Sequence, residues 1–403
     1  MIPKFRDGYS MQPLKANYIR MKAIKNPFTT GGYVSEAYFC DRVQESKMVI
    51  RTLTNGNNLA LISPRRMGKT GLIEHCFHSR EVAPNYHTFF IDIYATSNLR
   101  ELVYKLGKEI FDTLKPKGKH FVESFFNIIS SLRPAFKLDP HSGAPTFDIG
   151  IGEIREAEIT LDEIFKYLES SNKGCIVAID EFQQISRYPE KNIEANLRTQ
   201  IQKCKNCSFI FAGSQRHLME NIFFTSSRPF YQSVSLLHLD AISENEYILF
   251  AKKHFEKAKK AIDDETIKKL YQLFEGHTWY MQHILNEIFS LTSTNGNCTL
   301  KMTEGAIRSK IFAYKPLFQN TLNLLSERQK EVLYVIAKEG KATQITSGSF
   351  NRKHALLSPS SIQTSVRQLL DKDIITVDNK AYSVYDRFFG LWLKDEFGTG
   401  WNF

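Results

Sequence analysis

Cysteine is scarce in this chain, six residues in 403, and that scarcity excludes a disulfide-built scaffold. Cys40, Cys76, Cys175 and Cys298 stand alone in the sequence. Cys204 and Cys207 form one CxxC with no second CxxC or HxxxH nearby. A structural zinc site needs four ligands, so neither zinc nor redox chemistry is expected there. No apolar run approaches the length of a membrane span, and residues 1–25 lack the apolar centre of a signal peptide. The expectation is a cytoplasmic protein in a reducing compartment, with no membrane partner. Blocks of five or more like charges, internal repeats and low-complexity segments are all missing. What remains is ordinary for a globular protein that buries a core: 42% hydrophobic and 24% charged residues. The 53 Lys and Arg outnumber 43 Asp and Glu, a net charge of +10. That surplus favours a polyanionic partner and says nothing of the fold.

The length suits two or three domains. Residues 1–25 form an aperiodic N-terminal extension, and Met1 and Met21 are both candidate starts. From Asn26 to about residue 240 short apolar strands alternate with amphipathic helices. Strands are expected at Asn58–Ile62, Thr88–Tyr94, Cys175–Ile179, Phe209–Ala212 and Ser233–Leu239, and helices at Phe39–Thr54, Lys69–His78, Leu99–Leu114, Ala157–Glu169 and Ile193–Cys204. Strands apolar on both faces predict a parallel sheet covered on two sides, an α/β fold. Between Lys115 and Gly150, Ala135–Leu138 and Thr146–Ile149 predict an inserted hairpin. After Leu239 strands stop and residues 241–315 read as a helical block, closed by Lys315-Pro316. Residues 316–403 form a third unit. Ser326 and Gln329 make a capping box, Ser358-Pro359 opens a helix to Lys372, and two short strands flank Asp378-Asn379-Lys380.

Two strand ends carry chemistry. Ser63-Pro64-Arg65-Arg66-Met67-Gly68-Lys69-Thr70, followed by Gly71, lies between an apolar strand and a helix. It fits G-x-x-x-x-G-K-[ST], with Ser63 at the first small position. Backbone N–H groups of such a loop make an anion nest, and the helix N-terminus adds its dipole. Lys69 would reach the β- and γ-phosphates of a nucleotide, and Thr70 would coordinate Mg²⁺. Arg65 and Arg66 read as solvated loop charges. The strand Cys175–Ile179 ends in Asp180 and Glu181, suited respectively to holding Mg²⁺ and to polarising an attacking water. Ser214 and Gln215 end the next strand on the edge where ligands sit in open parallel sheets, and Ser214 is a candidate γ-phosphate sensor. Thr96 and Ser97 on the same edge are candidates to restrain Glu181. Arg228 is a candidate arginine finger toward a neighbouring subunit, and a surface loop arginine is the competing reading.

These residues resemble a family. Asn26-Pro27-Phe28, Phe39-x-x-Arg42, Ser63–Thr70, Ile179-Asp-Glu-Phe-Gln183, Gly213-Ser-Gln-Arg216 and Tyr385-Asp-Arg-Phe-Phe389 with Trp392-Leu393 look like the archaeal-type AAA+ ATPases. These are P-loop proteins grouped with the signal-transducing STAND ATPases. The likeness covers about Asn26 to Leu393. It implies a P-loop core, a helical lid and a winged helix, ATP or ADP with Mg²⁺, and Phe39 and Arg42 near the adenine and ribose. Residues 276–282 depart from it: they hold no sensor arginine, and Thr278 replaces a family-like proline. The chain ends soon after Trp392, so no nuclease-like domain is expected.

In the last unit, the helix from Ser358 would enter a DNA major groove, with Ser360, Ser361, Gln363, Thr364 and Arg367 available for contacts. Eleven Lys and Arg against nine Asp and Glu between residues 320 and 403 make a weak basic face. Double-stranded DNA and a protein partner therefore both stand as candidates, as does a homo-oligomer. The expected activity is Mg²⁺-dependent ATP hydrolysis that moves the lid and winged helix. A slow nucleotide-gated switch and a DNA-binding regulator with structural nucleotide are the alternatives.

Overall fold

The structure is a computed structural model that describes residues 26–114, 125, 127–138, 145–147, 154, 156–354, 358–378, 380–398, 400, 401 and 403. The N-terminal extension and parts of the inserted segment lie outside them.

Five parallel strands form the central sheet: β1 (Leu59–Ile62), β2 (Tyr86–Asp92), β5 (Gly174–Asp180), β6 (Cys207–Gly213) and β7 (Ser235–His238). Their spatial order is β2-β5-β6-β1-β7. Every residue of β1 and β6 is buried, as a strand covered on both faces requires. Alternation divides the apolar side chains between two layers. Leu59, Leu61, Ile176, Ala178, Ile210 and Ala212 pack under α1 (Val43–Thr54) and α2 (Lys69–Phe77). Ala60, Ile62, Val177, Ile179, Phe209 and Phe211 face the other way, toward α3 (Leu99–Leu114), α4 (Ala157–Glu169), α5 (Ile193–Lys203) and α6 (Arg216–Phe224). In register, Ile62 lies beside Gly213 and His238, and Asp92 beside Asp180. The strands thus finish together, and the segments after β1, β5 and β6 share one edge. The inserted hairpin is present, with β3 (Phe136–Leu138) antiparallel to β4 (Pro145–Phe147); Ile149 lies outside the described residues.

The helical block comprises α7 (Glu244–Lys257), α8 (Asp264–Phe274), α9 (Thr278–Leu291) and α10 (Leu300–Asn323). Ser243, Asp263 and Thr299 cap three of them with side-chain oxygens. Strands do not stop completely: β8 (Ala261–Ile262) and β9 (Asn297–Cys298) pair in parallel across the block. Nor does Lys315-Pro316 end an element. Helix α10 runs through Pro316, because a ring on the exposed side forfeits one intrahelical bond while Ile311 and Phe318 keep the buried side packed. The chain therefore enters its last unit inside a helix. That unit holds α11 (Glu327–Glu339), opened by the Ser326–Gln329 capping box, then β10 (Ala342–Thr343), α12 (Gly348–His354) and α13 (Pro359–Asp371). The strands β11 (Ile375–Asp378) and β12 (Ala381–Val384) form the wing, and α14 (Arg387–Glu396) closes the chain. Lid and winged helix share one continuous apolar core, to which Phe28 contributes from the N-terminal side against Phe255 and Phe289. Among the described residues no helix is long and apolar enough to cross a membrane.

Candidate active site

The loop after β1 is anchored at its start, where the Ser63 N–H donates to Gly213 O (3.1 Å) on β6. It turns through two left-handed residues, Arg66 (φ 72°) and Gly68 (φ 93°). A methyl group added at Gly68 would meet Thr278 at 3.7 Å, an ordinary contact. The positive φ, rather than crowding, is what favours glycine there. Gly68 is the N-cap of α2, so the first N–H groups of that helix open toward the loop.

Lys69 is buried, and its Nζ lies 2.8 Å from Asp180 Oδ1 and 3.5 Å from Glu181 Oε1. Asp180 ends β5 and also accepts the Glu181 N–H at 2.9 Å. Glu181 has φ 57°, a conformation uncommon outside glycine that directs the residue after a straight strand back over the sheet edge. Its Oε2 accepts the Ser214 hydroxyl (2.7 Å) and Gln183 Nε2 (2.5 Å). Because β6 lies between β1 and β5, the residue just past its end can reach this carboxylate. Burial alone would raise the Glu181 carboxyl. Lys69, Ser214, Gln183 and Arg65 outweigh it and hold Glu181 below its ordinary value.

Thr70 is exposed on the first turn of α2, and Phe39 packs over the same turn, 3.8 Å from where a Cβ on Gly71 would stand. Phe39 stacks on His75 (centroids 4.2 Å apart), with Tyr33 edge-on to both. Sequence reasoning missed Tyr33 and His75, although His75 stands one helical turn beyond Gly71. Arg42 is buried and bonds Glu45 (2.9 Å) and the loop carbonyl of Met67 (3.2 Å), so it braces the loop from behind. The lid touches the same backbone. Thr278 Oγ1 donates to Met67 O (3.1 Å), and the Trp279 N–H donates to Arg66 O (3.0 Å). The Thr278 bond is one that a proline could not make.

Two expectations change. Arg65 and Arg66 are only partly solvated and are paired: Arg65 meets Glu181 (3.8 Å) and Asp373 (3.1 Å), and Arg66 meets Asp386 (2.9 Å) and Tyr280 OH. Thr96 and Ser97 do not restrain Glu181, because Thr96 bonds Ile93 O and Tyr188 OH while Ser97 bonds Glu101. Within its own chain Arg228 pairs with Glu194 at the start of α5. The thiols of Cys204 and Cys207 are buried 2.8 Å apart, beside Cys175, at the opposite edge of the sheet. No group of three or more His, Cys, Asp or Glu is placed to hold a metal among the described residues.

The loop at a strand–helix junction, its buried lysine and the acids on β5 carry over to comparison with known proteins. A family model described as an ATPase domain predominantly from Archaea matches residues 39–284. The chain belongs to this ATPase family. A second model, a probable winged helix domain, matches residues 316–395. Among solved structures the chain is similar to the Walker-type ATPase PABY2304 of Pyrococcus abyssi, at 16% identity and TM-score 0.63, over 91% of this chain and 99% of that one. The ORC2 protein of Aeropyrum pernix, in its ADPNP–ADP complexes, matches at 12% identity and TM-score 0.56, over 92% and 96%. The ORC1 protein of the same organism, in complex with DNA, matches at 13% and 0.51, over 89% and 93%. At such identities the likeness extends to the fold, a P-loop ATPase core with a C-terminal winged helix. No curated protein sequence matches the chain.

Proposed function

We propose that this ATPase-family chain binds ATP with Mg²⁺ on the loop at residues 63–71 and hydrolyses it in the cytoplasm. The observation that carries the reading is the convergence of Lys69, Asp180, Glu181 and Ser214 from three adjacent strand ends. The left-handed turns at Arg66 and Gly68, the start of α2 and Lys69 fit a chain of phosphates. Thr70 and Asp180 fit Mg²⁺ as it binds beside phosphates, through few protein ligands and several waters. A bound Mg²⁺ would neutralise charge on the phosphate oxygens. Glu181 orients the attacking water and draws on its proton, Lys69 stabilises charge on the transferred group, and Ser214 reports its presence by its bond to Glu181. Phe39, with Tyr33 and His75, offers an aromatic wall to the base, and Arg42 shapes the loop. Arg228 would serve a neighbouring subunit only after leaving Glu194.

A slowly turning nucleotide-gated switch is the second reading. It is favoured by the Glu181 carboxylate being engaged at once by Lys69, Arg65, Ser214 and Gln183. Duplex DNA is proposed as partner of the winged helix, where Gln363, Thr364 and Arg367 stand exposed on α13. Steady-state ATP hydrolysis by wild type and Glu181→Gln, with and without duplex DNA, tests these readings. Wild type should turn over and the variant should lose about 100-fold or more in rate while still binding ATP. A wild type that binds ATP without turnover on or off DNA selects the switch. Equal rates in the two proteins sink the role of Glu181.

A further inference from the structure

We propose that the winged helix is latched onto the phosphate loop through Arg65 and Arg66, so that polyphosphate binding and winged-helix docking oppose each other. This rests on the ATP-binding reading above and assigns its regulation.

Three points of the winged helix converge on two adjacent loop residues. Asp373, in the turn between α13 and β11, takes Arg65 Nη1 at 3.1 Å. Asp386, between β12 and α14, takes Arg66 Nη1 at 2.9 Å. Tyr385 lies under both guanidinium groups, 5.7 Å from that of Arg65 and 5.9 Å from that of Arg66. The core and lid supply the opposite walls. Arg65 also sits over Tyr94 (4.8 Å), and Arg66 over Trp279 (4.3 Å) and Tyr280 (4.9 Å). Tyr280 OH in turn accepts the Arg387 N–H at 2.9 Å, which joins the lid to the start of α14.

Both arginines belong to the loop whose backbone would form the anion nest, three and two residues before Gly68, so a phosphate held there lies within reach of a long arginine side chain. A planar fork of donors bonds a carboxylate or a phosphate with equal geometric ease. With the wing docked, each fork has a carboxylate of the wing, and Asp373 and Asp386 add negative charge where a polyanion must enter. A polyphosphate therefore competes with Asp373 and Asp386 for the same two cations. Linkage makes the competition reciprocal: whatever docking takes from nucleotide affinity, nucleotide takes from docking. Arg65 carries a second consequence, since its Nε lies 3.8 Å from Glu181 Oε1. Asp373 thereby acts on the hydrolytic carboxylate through Arg65, and Arg65 is a positioning residue for Glu181.

The test is the full-length Asp373→Asn, Asp386→Asn protein. Asn keeps the volume, tolerates φ 52° at residue 373, and retains a side-chain acceptor for the Phe388 and Phe389 N–H groups that Asp386 caps. Affinity for a fluorescent ATP analogue and for ADP is measured, together with hydrogen exchange over residues 358–398. The expected result is nucleotide binding about tenfold tighter than wild type, the size of an ordinary allosteric coupling. ATP should also speed exchange in the wild-type winged helix, and the variant should show that faster exchange without nucleotide. Asp373→Asn alone, expected to gain about threefold, serves if the double variant fails to fold. Unchanged or weaker affinity in the variants, or a wild-type winged helix protected by ATP, overturns the latch. Wild-type binding in the same titration checks the parent reading separately. No binding there sinks both, whereas wild-type binding with an unaltered variant sinks the latch alone.

Discussion

Replacing Lys69 by Met removes the one cation that, among the described residues, contacts both Asp180 and Glu181 while keeping most of the aliphatic volume. The exposures of the three side chains are 7%, 10% and 12%, so solvent screens this cluster little. Breaking a buried pair from one side typically costs 3–5 kcal/mol, because the remaining charge is left without its partner. Here Glu181 keeps Ser214, Gln183 and Arg65, and Asp180 keeps the Glu181 N–H, so about 2–4 kcal/mol is expected. For a core of this size that is roughly 5–12 °C in the thermal midpoint of the nucleotide-free protein. The pH dependence carries the decisive sign. In wild type Glu181 titrates below its ordinary value, so its contribution is present above that value and lost as pH falls through the depressed one. In the variant, burial acts without Lys69, so the folded carboxyl lies higher than in wild type. The stability that Glu181 contributes above its ordinary value is therefore smaller in the variant. The gap between the two proteins should therefore widen as pH rises through the carboxylate range in thermal or urea unfolding. A gap that ignores pH, or a variant as stable as wild type, would refute the account of this cluster.

Two further outcomes follow from the fold. Pro316→Ala restores a helical N–H at an exposed position of α10 and should stabilise the protein by about 1–3 kcal/mol in denaturant unfolding. A loss instead would mean that the proline bend is what seats Phe318 against Phe389 and Trp392 (5.1 and 5.7 Å). All six cysteines are buried, and burial pushes the Cys40 thiol well up and the Cys76 thiol to about 12. Native protein at neutral pH should therefore react with a thiol reagent only on unfolding, and fast labelling of any cysteine would contradict this packing.

Much of the core was legible because local chemistry decides it. Strands buried on both faces are written as unbroken apolar runs, so β1, β5 and β6 stood out, and their ends delivered Lys69, Asp180, Glu181 and Ser214 to one edge. The left-handed Gly68 was legible from the loop pattern, whereas the equally left-handed Glu181 was not, since nothing local marks a glutamate for that conformation. Pro316 misled for a related reason. A proline reads as a stop, but a helix with one face held in a core tolerates it on the other. Thr96 and Ser97 were placed on the correct edge, yet their hydroxyls are used by neighbours that periodicity does not reveal.

Arg65 and Arg66 show where such reading ends. An arginine in a glycine-containing loop is by default solvated, and only its partner can say otherwise. Their partners Asp373 and Asp386 lie 308 and 320 residues further along, in turns that look ordinary in sequence. Strand and helix patterns record which side of an element is apolar. They do not record which acid of a distant domain meets which base of a loop. For this ATPase that pairing matters most, because it joins the unit that would meet DNA or a protein to the loop that would hold the phosphates. The residues that connect this loop to the winged helix are thus ones whose pairing could be found only once the chain was folded.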